Sequence, residues 1–263
     1  MEEMKIGFIG FGNMAQAMAR GLVATEALPA ASIGACARDF DKLRRNTEPF
    51  GFCPFAQAAD LVAFADLVVV AVKPHQVAGA LEPLRKALHE RIVVSVAAGV
   101  TFDDYEGLLL PGTPHLSTVP NTPVAVGEGI IVCERRHSLS AEAWERFERI
   151  FSRIGLLLTV DTPLLSVAGT VCGCGPAFVA MFLEALADAA VKHGIPRADA
   201  YRMASQMVVG TGKLQLVTGT HPAAMKDAVC SPGGTTIVGV AALERRAFRA
   251  AVIDAVDAIE AKR

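Results

Sequence analysis

The chain has 263 residues, 52% of them hydrophobic and 20% charged, enough to bury the core of one or two domains. Its net charge of −2, with no basic cluster longer than Arg135-Arg136 or Arg245-Arg246, excludes the footprint of a nucleic-acid or anionic-membrane binder and leaves small molecules as the expected partners. The start, Met1-Glu2-Glu3, is acidic where a secretory leader is basic, and the longest apolar stretch, read as Leu61 to Val72, is broken by Asp66, so the expectation is a cytoplasmic protein.

From Lys5 to Thr159, short apolar runs alternate with amphipathic stretches, the pattern of parallel strands and crossover helices. Strands are predicted at Ile6 to Gly10, Ser32 to Ala37, Leu67 to Val72, Ile92 to Val96, His115 to Val119, Ile130 to Cys133 and Leu156 to Val160. Helices are predicted at Ala15 to Thr25, Lys42 to Phe50, Gln76 to Leu88 and Ala141 to Ile154. The strands are near-continuous Val/Ile/Ala runs, which fits a sheet covered on both faces. After Asp161-Thr162-Pro163 strand signals vanish, alanine rises, and turns separate long helices such as Pro176 to His193 and Arg197 to Val217. The expected architecture is α/β. A Rossmann-type, doubly wound NAD(P)-binding domain (residues 1–161) is followed by an all-α dimerisation and substrate domain (residues 162–263). The late helices are apolar on more than one face, which predicts burial against a second copy.

Two glycine-rich turns carry the chemistry. Gly10-Phe11-Gly12-Asn13-Met14-Ala15 follows a strand and opens a helix: Gly10 allows the tight turn, Gly12 lets backbone approach a pyrophosphate, and small Ala15 permits close packing. At the end of the second strand stands Ala35-Cys36-Ala37-Arg38-Asp39. Arg38 suits a 2′-phosphate and Asp39 a ribose, so the expected cofactor is NADPH, with NADH the alternative. Ala71-Val72-Lys73-Pro74 and Ala97-Ala98-Gly99 end two further strands at the same crevice. Lys73 is read as a donor to the cofactor ribose and the small Ala97 and Ala98 as room for the nicotinamide.

The second turn, Ser231-Pro232-Gly233-Gly234-Thr235-Thr236, precedes a helix running through Leu243. Converging backbone N–H groups and the positive helix end suit a small carboxylate. Six cysteines at scattered spacings show no metal-ligand pattern and read as reduced hydrophobes, with Cys172-Gly173-Cys174 holding a redox or metal alternative. Cys230, read as lying beside a helix N-terminus, is expected to be alkylated with loss of turnover, and bound substrate to protect it. The histidines, His75 nearest the crevice among them, take structural or solvated readings.

With these pieces in order the chain resembles the Δ1-pyrroline-5-carboxylate reductases over nearly its whole length. The likeness rests on Gly7 to Met14, Ala71 to Pro74, Ala97 to Val100, Pro120-Asn121-Thr122-Pro123, Gly173 to Ala177, His221-Pro222 with Lys226-Asp227, and above all Ser231 to Thr236 with Leu243-Glu244. The resemblance implies reduction of a cyclic imine acid to L-proline with NAD(P)H. It implies cofactor contacts at Ile9, Gly10, Phe11, Gly12, Asn13, Met14, Ala37, Arg38, Ala71, Val72, Lys73, Pro74, Ala97 and Ala98. Substrate contacts are implied at Ser231, Gly233, Gly234, Thr235 and Thr236, with Asn121 and Thr162 also on the substrate side, and a homodimer extending to a decamer. The chain departs from the usual family pattern at Ala58, Ser117, Thr162, Cys174 and Phe178.

Because the free imine is already partly protonated near neutral pH, the protein has chiefly to orient the ring and supply a proton. Thr236, which the resemblance places toward the ring nitrogen, is the catalytic candidate, its plain alternative being a helix N-cap. Two other readings stay open: a hydroxyacid dehydrogenase with Lys213 as its acid, and a homologue that binds NADPH without turnover.

Overall fold

The polypeptide's hydrophobic pattern resolves into an eight-stranded sheet and a set of helices in a computed structural model, which describes residues 4–262. The acidic start Met1-Glu2-Glu3 lies outside the described residues. In chain order the first half runs β1 (Ile6–Ile9), α1 (Asn13–Ala24), β2 (Ile33–Cys36), α2 (Phe40–Thr47), β3 (Cys53–Phe55), α3 (Ala58–Phe64), β4 (Leu67–Val70), α4 (Val77–Leu81), α5 (Arg85–Leu88), β5 (Ile92–Ser95), α6 (Phe102–Leu108), β6 (His115–Pro120), β7 (Gly129–Glu134), α7 (Ala141–Phe151), β8 (Gly155–Val160) and α8 (Leu165–Gly169). The helices α9 (Gly175–Lys192), α10 (Arg197–Thr218), α11 (Pro222–Ala228), α12 (Thr235–Arg245) and α13 (Phe248–Glu260) follow. The chain separates into two compact units, the second beginning at Gly175.

In the first unit the strand order is β3-β2-β1-β4-β5-β6-β7-β8. Parallel strands buried on both faces need side chains to either side to be apolar. Phe8, Leu67 and Val69 accordingly join one core with Met18 and Leu22 of α1 and Phe147 and Phe151 of α7, while Ile9, Val68 and Val70 join another with Leu61, Leu81 and Tyr105.

Four details differ from the sequence expectation. A strand at residues 53–55 appears on the sheet edge, the one place where Pro54 costs no ladder bond. Helices α3 and α6 also appear, the first packed so closely on β1 and β2 that a Cβ on Gly7 would stand 2.9 Å from that of Ala65 and one on Gly34 2.9 Å from Leu61. The predicted helix over 76–88 divides into α4 and α5 with a 3-10 turn at Glu82–Leu84, where Pro83 cannot continue an α-helix. Finally, β6 pairs antiparallel with β7, because the link between them, a 3-10 segment at Thr122–Val126, is too short for a crossover.

The second unit is helical throughout. α9 and α10 lie side by side across the Gly194 turn, where φ is +96°, and Phe182 of α9 meets Phe248 of α13 at 6.3 Å. Its described residues bury only Ala187, Ala200 and Ala204, leaving Met181, Met203, Leu216 and Val217 more than half exposed. The helical run Thr162–Lys192, with a peak mean hydropathy of 1.7, is long and apolar enough by length and composition to cross a membrane, a point the sequence reading passed over.

Candidate active site

Where the sheet order reverses, between β1 and β4, the carboxyl ends of the strands form the crevice in which open α/β sheets hold ligands. Backbone bonds align those ends: Gly10 N–H donates to the Cys36 carbonyl at 2.8 Å, Ala71 N–H to Ile9 at 2.8 Å, and Val96 N–H to Val70 at 3.0 Å. Gly10 has φ +89°, and a Cβ there would stand 2.8 Å from the Ala71 carbonyl oxygen, so only glycine fits. Gly12, open on all sides, is the N-cap of α1 and brings no side-chain cap; the first amides of α1, at Asn13 and Met14, are thus left for an anion. Ile9 and Phe11 are buried, Phe11 edge-on to Phe8 and Phe52, so these two offer backbone only.

At the end of β2, Ala37 is half-buried and Arg38 is exposed, with no ion-pair partner among the described residues. Asp39 is differently occupied. Its carboxylate caps α2 by accepting the Lys42 N–H at 2.9 Å. Ala71 and Val72 are half-buried, Lys73 and Pro74 exposed, and the Lys73 carbonyl accepts the Gln76 N–H at 2.8 Å. Beyond β5, Ala97 is buried and Ala98 exposed, and the Ala97 N–H donates to the Ser95 hydroxyl at 3.2 Å.

Asn121 and Thr162 are engaged with their own unit. The Asn121 amide donates to the Cys172 carbonyl at 3.1 Å and accepts the Ile130 N–H at 2.9 Å. The Thr162 hydroxyl donates at 2.6 Å to Glu134, a fully buried carboxylate whose other oxygen accepts the Phe102 N–H at 2.7 Å. Sequence reasoning missed Glu134, Ser95 and Gly21. Gly21 alone left a signal, a glycine inside a helical pattern. A Cβ there would lie 1.9 Å from the Val124 carbonyl oxygen, so α1 rests directly on the 122–126 backbone.

In the helical unit, Gly234 N–H donates to the Ser231 carbonyl at 2.9 Å across Pro232 and Gly233, the latter at φ +69°, a turn that asks for proline and then glycine. Gly234 caps α12 without a side chain, and Thr235 and Thr236 are exposed in its first turn. The N-cap reading of Thr236 therefore gives way: glycine holds that place. Cys230 is likewise relocated. Its N–H closes on the Asp227 carbonyl at 3.0 Å, finishing the turn after α11 rather than opening α12.

His115 is buried and stacked on Phe102 with ring centroids 4.4 Å apart, His221 caps α11 through Nδ1, and Lys213 is exposed on α10. Cys172 and Cys174 lie in a π-helical turn at Thr170–Cys174, the Cys172 thiol pushed up by burial. Among the described residues no group of three or more His, Cys, Asp or Glu converges as a metal site.

Two family models match: pyrroline-5-carboxylate reductase dimerisation over residues 163–263, and NADP oxidoreductase, coenzyme F420-dependent, over residues 5–99. The pyrroline-5-carboxylate reductase of Treponema pallidum (strain Nichols) is 42% identical over 259 residues, 97% of this chain and 98% of the relative. That of Escherichia coli (strain K12) is 40% identical over 254 residues, covering 96% and 94%. The crystal structure of the Plasmodium falciparum pyrroline carboxylate reductase with NADP bound superimposes with a TM-score of 0.87 at 26% identity, covering 100% of this chain and 97% of that one.

Proposed function

The chain belongs to the pyrroline-5-carboxylate reductase family, and on that premise we propose that it reduces 1-pyrroline-5-carboxylate to L-proline with NADPH, NADH being the weaker alternative. The observation that carries this reading is the pair of glycine turns, each leaving helix-start amides without a side-chain cap, one at the sheet crevice and one at the start of α12.

The crevice fits a dinucleotide: at Gly10 a Cβ would meet the Ala71 carbonyl, the space at Gly12 is open, and Arg38, exposed beyond the end of β2, has no ion-pair partner among the described residues. In this reading the backbone of Ile9, Gly10, Phe11 and Gly12 and the amides of Asn13 and Met14 hold the diphosphate. Ala37 and Arg38 take the adenosine end, Ala71, Val72, Lys73 and Pro74 the ribose, and Ala97 and Ala98 the nicotinamide. The bound reduced nicotinamide supplies the hydride.

Ser231, Gly233, Gly234, Thr235 and Thr236 hold the substrate carboxylate and so orient the ring. Thr236 hydrogen-bonds the ring nitrogen and keeps its proton in place; it is the catalytic residue of this proposal. Asn121 and Thr162 serve the substrate side indirectly, by fixing Cys172 and by tying Glu134 to the start of α6. Residues 162–263 form the dimerisation and substrate-carboxylate part of a cytoplasmic homodimer, with a decamer as its higher assembly. The apolar run Thr162–Lys192 belongs to that assembly and not to a membrane.

The test is NADPH oxidation with 1-pyrroline-5-carboxylate, its six-membered analogue and plain pyrroline side by side, in the protein and in Thr236→Ala. Turnover of the carboxylated rings with little of plain pyrroline is expected. Thr236→Ala should lower kcat/KM about 10-fold or more, the worth of a hydrogen bond to a charged group. A loss under about threefold overturns the role of Thr236, and oxidation of a hydroxyacid without imine reduction overturns the reading as a whole.

A further inference from the structure

We propose that Ser95 is a positioning residue for the nicotinamide end of the cofactor, its hydroxyl setting the Ala97-Ala98-Gly99 turn on which that end rests. The inference rests on the crevice reading above and deepens it.

The chain leaves the sheet immediately after β5. Val96 N–H still pairs with the Val70 carbonyl at 3.0 Å, but the next amide, on buried Ala97, has no strand to pair with. A buried N–H without an acceptor costs about 1–3 kcal/mol, enough to pull the turn open toward water. The Ser95 hydroxyl accepts this N–H at 3.2 Å, and the turn then closes through Val100 N–H on the Ala97 carbonyl at 3.3 Å, with Gly99 at φ +76°. Ser95 is itself gripped from the neighbouring strand, since its carbonyl accepts the Thr118 hydroxyl at 2.7 Å. The residue is 1% exposed, so water cannot substitute for the hydroxyl.

The surroundings show that this use of a hydroxyl is selective. Ser117, paired with Ser95 in the strand register, is equally buried, yet its Oγ takes up no backbone group, and the Oη of equally buried Tyr105 of α6 lies against the Ser95 side chain. Of the two paired serine hydroxyls at the end of β5, only that of Ser95 takes up a backbone group of the ligand turn. A packing role alone would be met by alanine, or by a hydroxyl left idle as at Ser117.

Three variants of the full chain test this: Ser95→Ala, Ser95→Thr and Ala98→Val, with Ser95→Cys, nearly isosteric and a poor acceptor, as the substitute should the alanine variant not fold. Ser95→Ala or Ser95→Cys should raise the NADPH Kd and KM about fivefold to tenfold, the worth of one buried hydrogen bond, and leave the imine KM within about twofold. Ser95→Thr should restore the NADPH values. Ala98→Val, which crowds the turn directly, reports on the crevice reading itself. If it raises the NADPH KM while the Ser95 variants do not, or if threonine fails to rescue, the positioning role is wrong and the crevice reading stands. If neither Ala98→Val nor the Ser95 variants move NADPH binding, the cofactor does not rest on this turn and both are overturned.

Discussion

Replacing Arg38 by alanine should collapse the preference for NADPH over NADH. Arg38 lies two residues beyond the end of β2, is exposed and has no acidic partner among the described residues, so its guanidinium is free to meet a 2′-phosphate. The competing acid next to it is committed elsewhere, Asp39 accepting the Lys42 N–H as the cap of α2. A charge-assisted hydrogen bond is worth about 1.5–3 kcal/mol, or roughly 10- to 150-fold in affinity. Exposure screens the pair, which places the expectation toward the lower end, about 10- to 30-fold in the NADPH KM. The NADH KM should stay within about twofold, and added salt should erode the wild-type advantage while leaving the variant's ratio flat. Steady-state kinetics with both coenzymes at low and high salt measure this. Asp39→Asn, which keeps a good N-cap, should leave the ratio unchanged, whereas Asp39→Ala should cost about 1 kcal/mol of stability without altering coenzyme choice. Equal losses for both coenzymes in Arg38→Ala would refute the reasoning, because a phosphate reader cannot act on a ligand that lacks the phosphate.

Gly21→Ala tests the seat of α1: alanine would favour an isolated helix by about 1 kcal/mol, but here its Cβ meets the Val124 carbonyl oxygen at 1.9 Å. A loss of about 3 kcal/mol or more in denaturant unfolding is expected, as for other overpacked contacts, together with weaker NADPH binding, and an unchanged or raised midpoint would show that α1 does not rest there. The single tryptophan gives a pH readout, since Trp144 stacks on His137 with ring centroids 5.0 Å apart and planes 10° from parallel. Burial lowers His137 from its ordinary value of 6.5, so the fold favours the neutral ring; that stabilisation is whole above pH 6.5 and is lost as pH falls through the lower folded value. Tryptophan emission should therefore titrate with a midpoint below 6.5, and the step should vanish in His137→Gln; a midpoint above 6.5 would reverse the assigned cause.

What the sequence revealed and what it withheld divide along the range of the interactions. Strands such as Leu67–Val70 declare themselves because burial on both faces needs an unbroken apolar run, and the Gly10 and Gly233 turns because a positive φ beside a helix start needs glycine. The α6 start was also local information: Asp104 accepts both the Thr101 N–H at 2.8 Å and its hydroxyl at 2.9 Å, a capping pattern written in four residues. By contrast α3 lies where it does because Gly7 and Gly34, more than twenty residues away, have no side chain to repel it. Asn121 reads as a free amide between prolines until the fold brings Cys172 to it, and the roles of Ser95 and Glu134 exist only once Ala97, Phe102 and Thr162 are in place.

The helical unit carries the same reasoning beyond one polypeptide. A surface helix of a self-sufficient domain keeps one apolar stripe, whereas α9 and α10 bury little beyond Ala187, Ala200 and Ala204 while Met181, Met203, Leu216 and Val217 face outward. Exposed apolar area of that kind marks an interface in a soluble protein, and the match of residues 163–263 to a dimerisation model supplies its occupant, a second copy of the chain. The absence of a single hydrophobic face, which made these helices hard to orient from their sequence, is thus the signature of cores completed between copies, and the unfolding midpoint of this half should rise with protomer concentration.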